Sequence, residues 1–123
     1  MNGNNYVADT NILLYIIGGR EETKKVIEYN IFISEITEIE MLGSKDLHEF
    51  QYRQRCNIID NCSLVNMSLR IKKMTIGLKQ KYNIKIPDAI IAATSMFLEL
   101  PLITADKGFK RIKELDLQLL ELN

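Results

Sequence analysis

Short apolar runs recur along the chain, and between them the apolar positions fall into a three-to-four spacing. Tyr6-Val7-Ala8, Ile31-Phe32-Ile33, Ser63-Leu64-Val65-Asn66, Leu102-Ile103-Thr104 and Gln118 to Leu122 are too short for helices and predict five strands, the first over residues 5 to 8. The intervening stretches read as helices. One runs through Asn11 to Ile17, capped by Thr10 or Asn11 and stopped at Gly18-Gly19. A second spans about Glu21 to Tyr29 with Val26 and Ile27 facing inward. Ser34 caps a third, placing Thr37 at its third helical position and Ile36, Ile39 and Glu40 on neighbouring faces. Residues 45 to 60 form a loosely amphipathic helix with Leu47, Phe50 and Ile58 on its apolar side. Ser68 caps the next, through Leu69, Ile71, Ile76 and Leu78 to near Tyr82-Asn83. Pro87 suits the first turn of a helix over 87 to 99, and Pro101 keeps that helix from continuing. A short helix from Phe109 to Leu115 precedes the last strand.

Strands alternating with helices predict an α/β domain, a three-layer α/β/α sandwich around a mostly parallel sheet of about five strands. Its length of 123 residues suits one domain over 1–123 with a proper core. No linker, repeat or low-complexity segment interrupts it. The apolar run near Ala89 to Leu100 is broken by Thr94, Ser95 and Glu99, so no membrane span is expected. Met1 to Asn5 has neither the basic nor the apolar part of a signal peptide, and the expected location is the cytoplasm.

Composition narrows the chemistry. Two cysteines, Cys56 and Cys62, with a single histidine, His48, make a poor zinc set and leave no Ser-His-Asp or Cys-His hydrolase. A disulfide is not expected in that compartment. Net charge is zero, yet residues 53 to 85 carry eight basic residues against one acid, a net of +7, and residues 20 to 49 carry a net of −4. Such a basic segment is commonly a solvated helix face, and is also what tracks a phosphate backbone.

Four acids stand where the predicted layout brings them to one rim of the sheet. Asp9 and Asp106 directly follow strands, Glu40 lies two turns into the helix after the second strand, and Asp88 sits in the first turn of its helix. Ligands of open parallel sheets bind outside the carboxyl ends of the strands. Taken singly, each acid has an ordinary explanation: Asp9 as a helix cap, Asp88 as a partner of a helix dipole, Asp106 in an Asp-Lys-Gly turn, Glu40 on a surface. Taken together, carboxylates without matching cations resist ionising side by side, and a divalent ion relieves them. An all-oxygen set suits magnesium or manganese and points to metal-assisted phosphodiester chemistry.

The blocks Asp9-Thr10-Asn11-Ile12-Leu13, Ile33-Ser34 with Thr37 and Glu40, Pro87-Asp88-Ala89 with Ile91-Ala92-Ala93-Thr94, and Leu102-Ile103-Thr104 with Asp106 and Phe109 together resemble PIN-domain ribonucleases of the VapC toxin type. The resemblance runs from about Tyr6 to Leu122. It implies an endoribonuclease that uses Mg2+ or Mn2+ and leaves a 5′-phosphate and a 3′-hydroxyl. In its register Asp9 and Asp88 are direct metal ligands, Glu40 and Asp106 hold a second ion or orient the water, and Asn11 and Thr104 orient carboxylates from behind. It also implies a small antitoxin partner and a homodimer, with the outer side of the 11 to 17 helix as one candidate surface. Two departures stand out. Ala105 occupies a position where many relatives carry an aspartate or asparagine, and Gly108 is expected to loosen the loop beside Asp106.

Two alternatives come from other classes. A phosphatase with an aspartate nucleophile needs a second aspartate two residues on, where this chain has Asn11. A non-catalytic PIN-like module that binds RNA or protein is the other reading, against which all four acids are present.

Overall fold

A computed structural model describes residues 4–123 of the chain; part of the Met1 to Asn5 stretch lies outside them. Five strands, β1 (Asn5–Ala8), β2 (Asn30–Ser34), β3 (Ser63–Val65), β4 (Leu102–Thr104) and β5 (Leu117–Leu119), form one sheet in the order β3-β2-β1-β4-β5. Every pairing is parallel, with Tyr6 opposite Ile31, Val7 opposite Leu102 and Ile103 opposite Gln118. The inner strands β1, β2 and β4 are short and mostly apolar because both of their faces are covered, whereas the edge strands β3 and β5 stay partly exposed.

Alternation along the strands divides the core in two. Val7 and Leu102 point to a cluster built with Ile71 and Leu78 of α4 (Leu69–Lys81) and Ala89, Ala92 and Ala93 of α5 (Ile86–Leu98). Their neighbours Ala8 and Ile103 point the other way, into Ile12 and Leu13 of α1 (Thr10–Ile17), Met41 of α2 (Glu35–Leu42) and Ile59 of α3 (Glu49–Asp60). The alanines of α5 leave no side-chain bulk between that helix and the sheet, so Ala89, Ala92 and Ala93 are fully buried. The result is the expected three-layer arrangement.

Some local expectations give way. Asp9, rather than Thr10 or Asn11, caps α1 by accepting from the Ile12 amide at 3.1 Å. The stretch from Glu21 to Tyr29 forms two separate 3-10 turns, Glu21–Thr23 and Val26–Glu28; Thr23 and Val26 turn inward while Ile27 is 63% exposed. The helix expected from residue 45 starts at Glu49, and Phe50 is 68% exposed; Ile59 is buried, and the expected Ile58 is partly buried against the same cluster. The expected helix from Phe109 to Leu115 is a 3-10 turn over Lys107–Arg111. Ser34 and Ser68 do cap α2 and α4, accepting from Ile36 and Ile71 amides. Both cysteines are free. Among the described residues no helix is long and apolar enough to cross a membrane.

Candidate active site at the carboxyl edge of the sheet

The chain leaves β1 outward through β2 and β3, then returns to place β4 on the other side of β1. That reversal opens a crevice above the carboxyl ends of β1 and β4, where two adjacent loops diverge. Asp9 emerges from β1 and Asp106 from the end of β4. The helix α5 precedes a parallel strand, so its first turn, with Asp88, lies at this same edge. Glu40 arrives from α2, which packs beside α1. Asp9, Thr10, Asn11, Glu40, Asp88, Ile91 and Asp106 line one cleft of about 200 Å3. All four acids singled out from the sequence are thus brought together, and Asn11 is exposed at their rim.

Each carboxylate is held differently. Asp9 is 5% exposed, and each of its oxygens has one donor from the protein. One oxygen accepts from the Ile12 amide, and the other accepts from the Thr104 hydroxyl at 2.5 Å. Thr104 Oγ1 in turn accepts from the Asp106 amide at 3.0 Å, so one buried hydroxyl ties β1's acid to the loop after β4. Burial pushes the Asp9 carboxyl up to about 6, with the negative charges of Asp106 and Asp88 adding to the rise and the two hydrogen bonds opposing it. Asp88, half-buried, is also raised, first by burial and then by Asp106 and Glu40, against the pull of Lys85.

Glu40 accepts from the Thr10 hydroxyl at 2.5 Å, and that hydroxyl lies 3.2 Å from the buried Thr37 hydroxyl. Thr10 was not singled out from the sequence as a site residue. Its role depends on α1 lying against α2, and the only local hint is its place directly after Asp9. Asp106 accepts from the Gly108 amide at 2.8 Å. Gly108 does not loosen this loop: a Cβ there would meet Asp106 Oδ1 at 3.0 Å, so the missing side chain lets the backbone close on the carboxylate.

Among the described residues none of the four acids forms an ion pair, since the arginine and lysine pairs all lie elsewhere. The donor set, carboxylates and hydroxyls only, fits a hard divalent cation. As the side chains stand, no three of the described acids, histidines or cysteines are close enough to hold one. Three of the acids are each turned toward donors of their own: Asp9 toward Thr104 and the Ile12 amide, Glu40 toward Thr10, and Asp106 toward the Gly108 amide.

Comparison with known proteins follows the same lines. The family model described as PIN domain matches residues 6–115. A chain of a toxin-antitoxin complex from Klebsiella pneumoniae is 32% identical, with 96% of this chain and 99% of that one covered and a TM-score of 0.81. VapBC-1 from nontypeable Haemophilus influenzae gives 26% identity over 94% of this chain and 98% of the other, with a TM-score of 0.77. VapBC2 from Rickettsia felis, bound to a promoter DNA fragment, shares the fold at 23% identity and a TM-score of 0.80, covering 95% and 99% of the two chains. A comparison with curated proteins finds no match.

Proposed function

The chain belongs to the PIN-domain family, in the form found in VapBC toxin–antitoxin complexes, and from that premise we propose that it is a metal-dependent endoribonuclease, the toxin of a toxin–antitoxin pair. The observation that carries the proposal is the convergence of Asp9, Glu40, Asp88 and Asp106, from four separate elements, on one cleft, none of them in an ion pair among the described residues. Such an arrangement costs folding stability, and a bound cation offsets that cost.

Asp9 and Asp88 are the proposed ligands of Mg2+ or Mn2+, with Glu40 and Asp106 either sharing a second ion or orienting the attacking water. When bound, the ion would lower the pKa of a water toward neutrality and steady the charge gathering on the phosphate oxygens. The chain's own contribution is orientation. Thr104 and the Ile12 amide hold Asp9 in one rotamer, Thr10 holds Glu40, and Gly108 holds Asp106. No protein nucleophile is called for, in keeping with a distant exposed His48 and a Cys62 thiol pushed up to about 11 by burial.

Two partners accompany this reading. The neighbours named above are complexes of two proteins, which supports a small antitoxin. A homodimer is supported by an apolar groove of about 570 Å3 along α1, where Ile16, Ile17, Val26 and Ile58 are among the lining residues. The other reading, a PIN-like module that binds RNA or protein without cutting, is favoured by the absence, among the described residues, of three ligands already at metal-holding distance.

The deciding experiment offers a fluorescent single-stranded RNA and a tRNA pool to pure protein with magnesium, manganese or EDTA. Cutting that needs metal and is abolished in both Asp9→Asn and Asp88→Asn is the expected result. Folded protein that binds metal yet cuts nothing would hand the case to the binding module.

A further inference from the structure

A second hollow, of about 260 Å3, opens beside the acidic cleft and shares Asp88 and Asp106 with it. Its other walls are the loop Asn83-Ile84-Lys85 and the turn bearing Gly108, Phe109 and Arg111. The two hollows make one trough, acidic at the Asp9 and Glu40 end and cationic at the Lys85 and Arg111 end.

Arg111 is fixed without being neutralised. Its Nε donates to the Gly108 carbonyl at 3.1 Å and its Nη1 to the Asn83 carbonyl at 2.6 Å. These take two of the five N–H donors of a guanidinium and leave the remainder, with the full charge, at the rim. Some cations elsewhere are spent: Arg20 pairs with Glu22, and Lys81 pairs with Glu114 at 2.6 Å. Among the described residues neither Lys85 nor Arg111 has a carboxylate partner within ion-pair distance. The loop between them is itself pinned, because Lys79 Nζ donates to the Ile84 carbonyl at 2.6 Å. A guanidinium held rigid by neutral acceptors is preorganised for a phosphate, which it can meet with two parallel N–H groups.

We infer that this cationic hollow holds the phosphate next to the scissile one in a single-stranded RNA, with Lys85 and Arg111 as its binding residues. The inference rests on the nuclease reading for the word scissile and on the trough's geometry for the rest. Acids at one end repel a polyanion, and two cations beside them, Arg111 held by two carbonyls and Lys85 next to it, recover that loss and set which way the strand runs through the trough. Lys79, in the last turn of α4, carries the positive edge on from it, held through its hydrogen bond to the Ile84 carbonyl.

The test is binding of a short fluorescent single-stranded RNA in EDTA, where no cutting intervenes, across a range of salt. Lys85→Gln and Arg111→Gln are each expected to lessen the slope of log affinity against log salt by about 0.7, the value for one phosphate contact on a single strand. Arg111→Lys should keep the wild-type slope, and so should Lys25→Gln on the far side of the molecule. Because Arg111 also ties two segments together, Lys85→Gln, which removes no hydrogen bond, stands as the variant that cannot act through misfolding. Unchanged slopes in both glutamine variants, an equal change in Lys25→Gln, or no RNA binding by wild type would overturn the inference. With magnesium or manganese restored, the two glutamine variants should raise KM and leave kcat nearly alone. Altered slopes in a protein that never cuts would uphold the subsite and sink the nuclease; cutting with unaltered slopes would do the reverse.

Discussion

Asp9 carries the most informative conflict at the residue scale. Its folded-state pKa of about 6, against 3.8 for an ordinary aspartate, means that between those values the folded protein holds a proton the unfolded chain has released. Stability of the metal-free protein from this group is therefore full below the window, falls as pH rises through it, and stays low above. The size is on the order of 3 kcal/mol, from the free energy of one pKa unit. Asp9→Asn should accordingly melt higher than wild type in EDTA well above pH 6, and the advantage should vanish in mild acid; an advantage that does not change with pH would refute the account. Thr104→Val removes the hydroxyl that donates to Asp9 and accepts from Asp106. A loss of about 10- to 100-fold in metal affinity or activity is expected, with Thr104→Ser close to wild type. The four acids were legible in the sequence because each sits at an element boundary or in a helix face that chain order alone defines. Thr10 was not, since a threonine opening a helix is unremarkable until Glu40, thirty positions away, is laid against it.

At the scale of elements, capping residues were readable and irregular turns were not. Ser34 caps α2 and so fixes the rotation at which Glu40 leaves that helix. Ser34→Ala should cost about 1 kcal/mol in urea unfolding and lower activity beyond what that loss of stability explains. The end of α5 holds a second handle. Glu99 takes a left-handed conformation, φ 56°, to turn the chain into β4, with the Leu100 amide donating to the Ser95 carbonyl. Glycine pays no steric penalty there, so Glu99→Gly is expected to stabilise by up to about 1 kcal/mol, a gain read as a higher unfolding midpoint. Between Glu21 and Tyr29 the apolar spacing suggested a helix, but Val26 is the one buried apolar residue there, beside the buried Thr23, and so little apolar contact cannot hold a long helix against the sheet. Phe50 misled for the same reason: hydrophobicity marks what can be buried, and α3 needed only Ile59 at that depth.

For the whole molecule, the proposed cation site would link metal binding to folding. Magnesium or manganese should raise the melting temperature of wild type, by a stabilisation of about 2.7 kcal/mol once free metal reaches a hundredfold excess over Kd, and EDTA should reverse it. Asp88→Asn should lose most of that response; a wild type indifferent to both metals would count against the cation site. The order of elements, the parallel sheet, its two covered faces and the candidate acids followed from the sequence, because strand and helix periodicities and cap residues are local properties of the chain. Only the tertiary structure decided that β4 lies beside β1, that Asp9 is the carboxylate Thr104 holds, that Thr10 holds Glu40, that Gly108 tightens its loop, and that Arg111 stands beside the acids with no ion pair among the described residues. Those are contacts between residues far apart in the chain, set by how the helices pack across the sheet, and no local pattern encodes which distant group a side chain will meet.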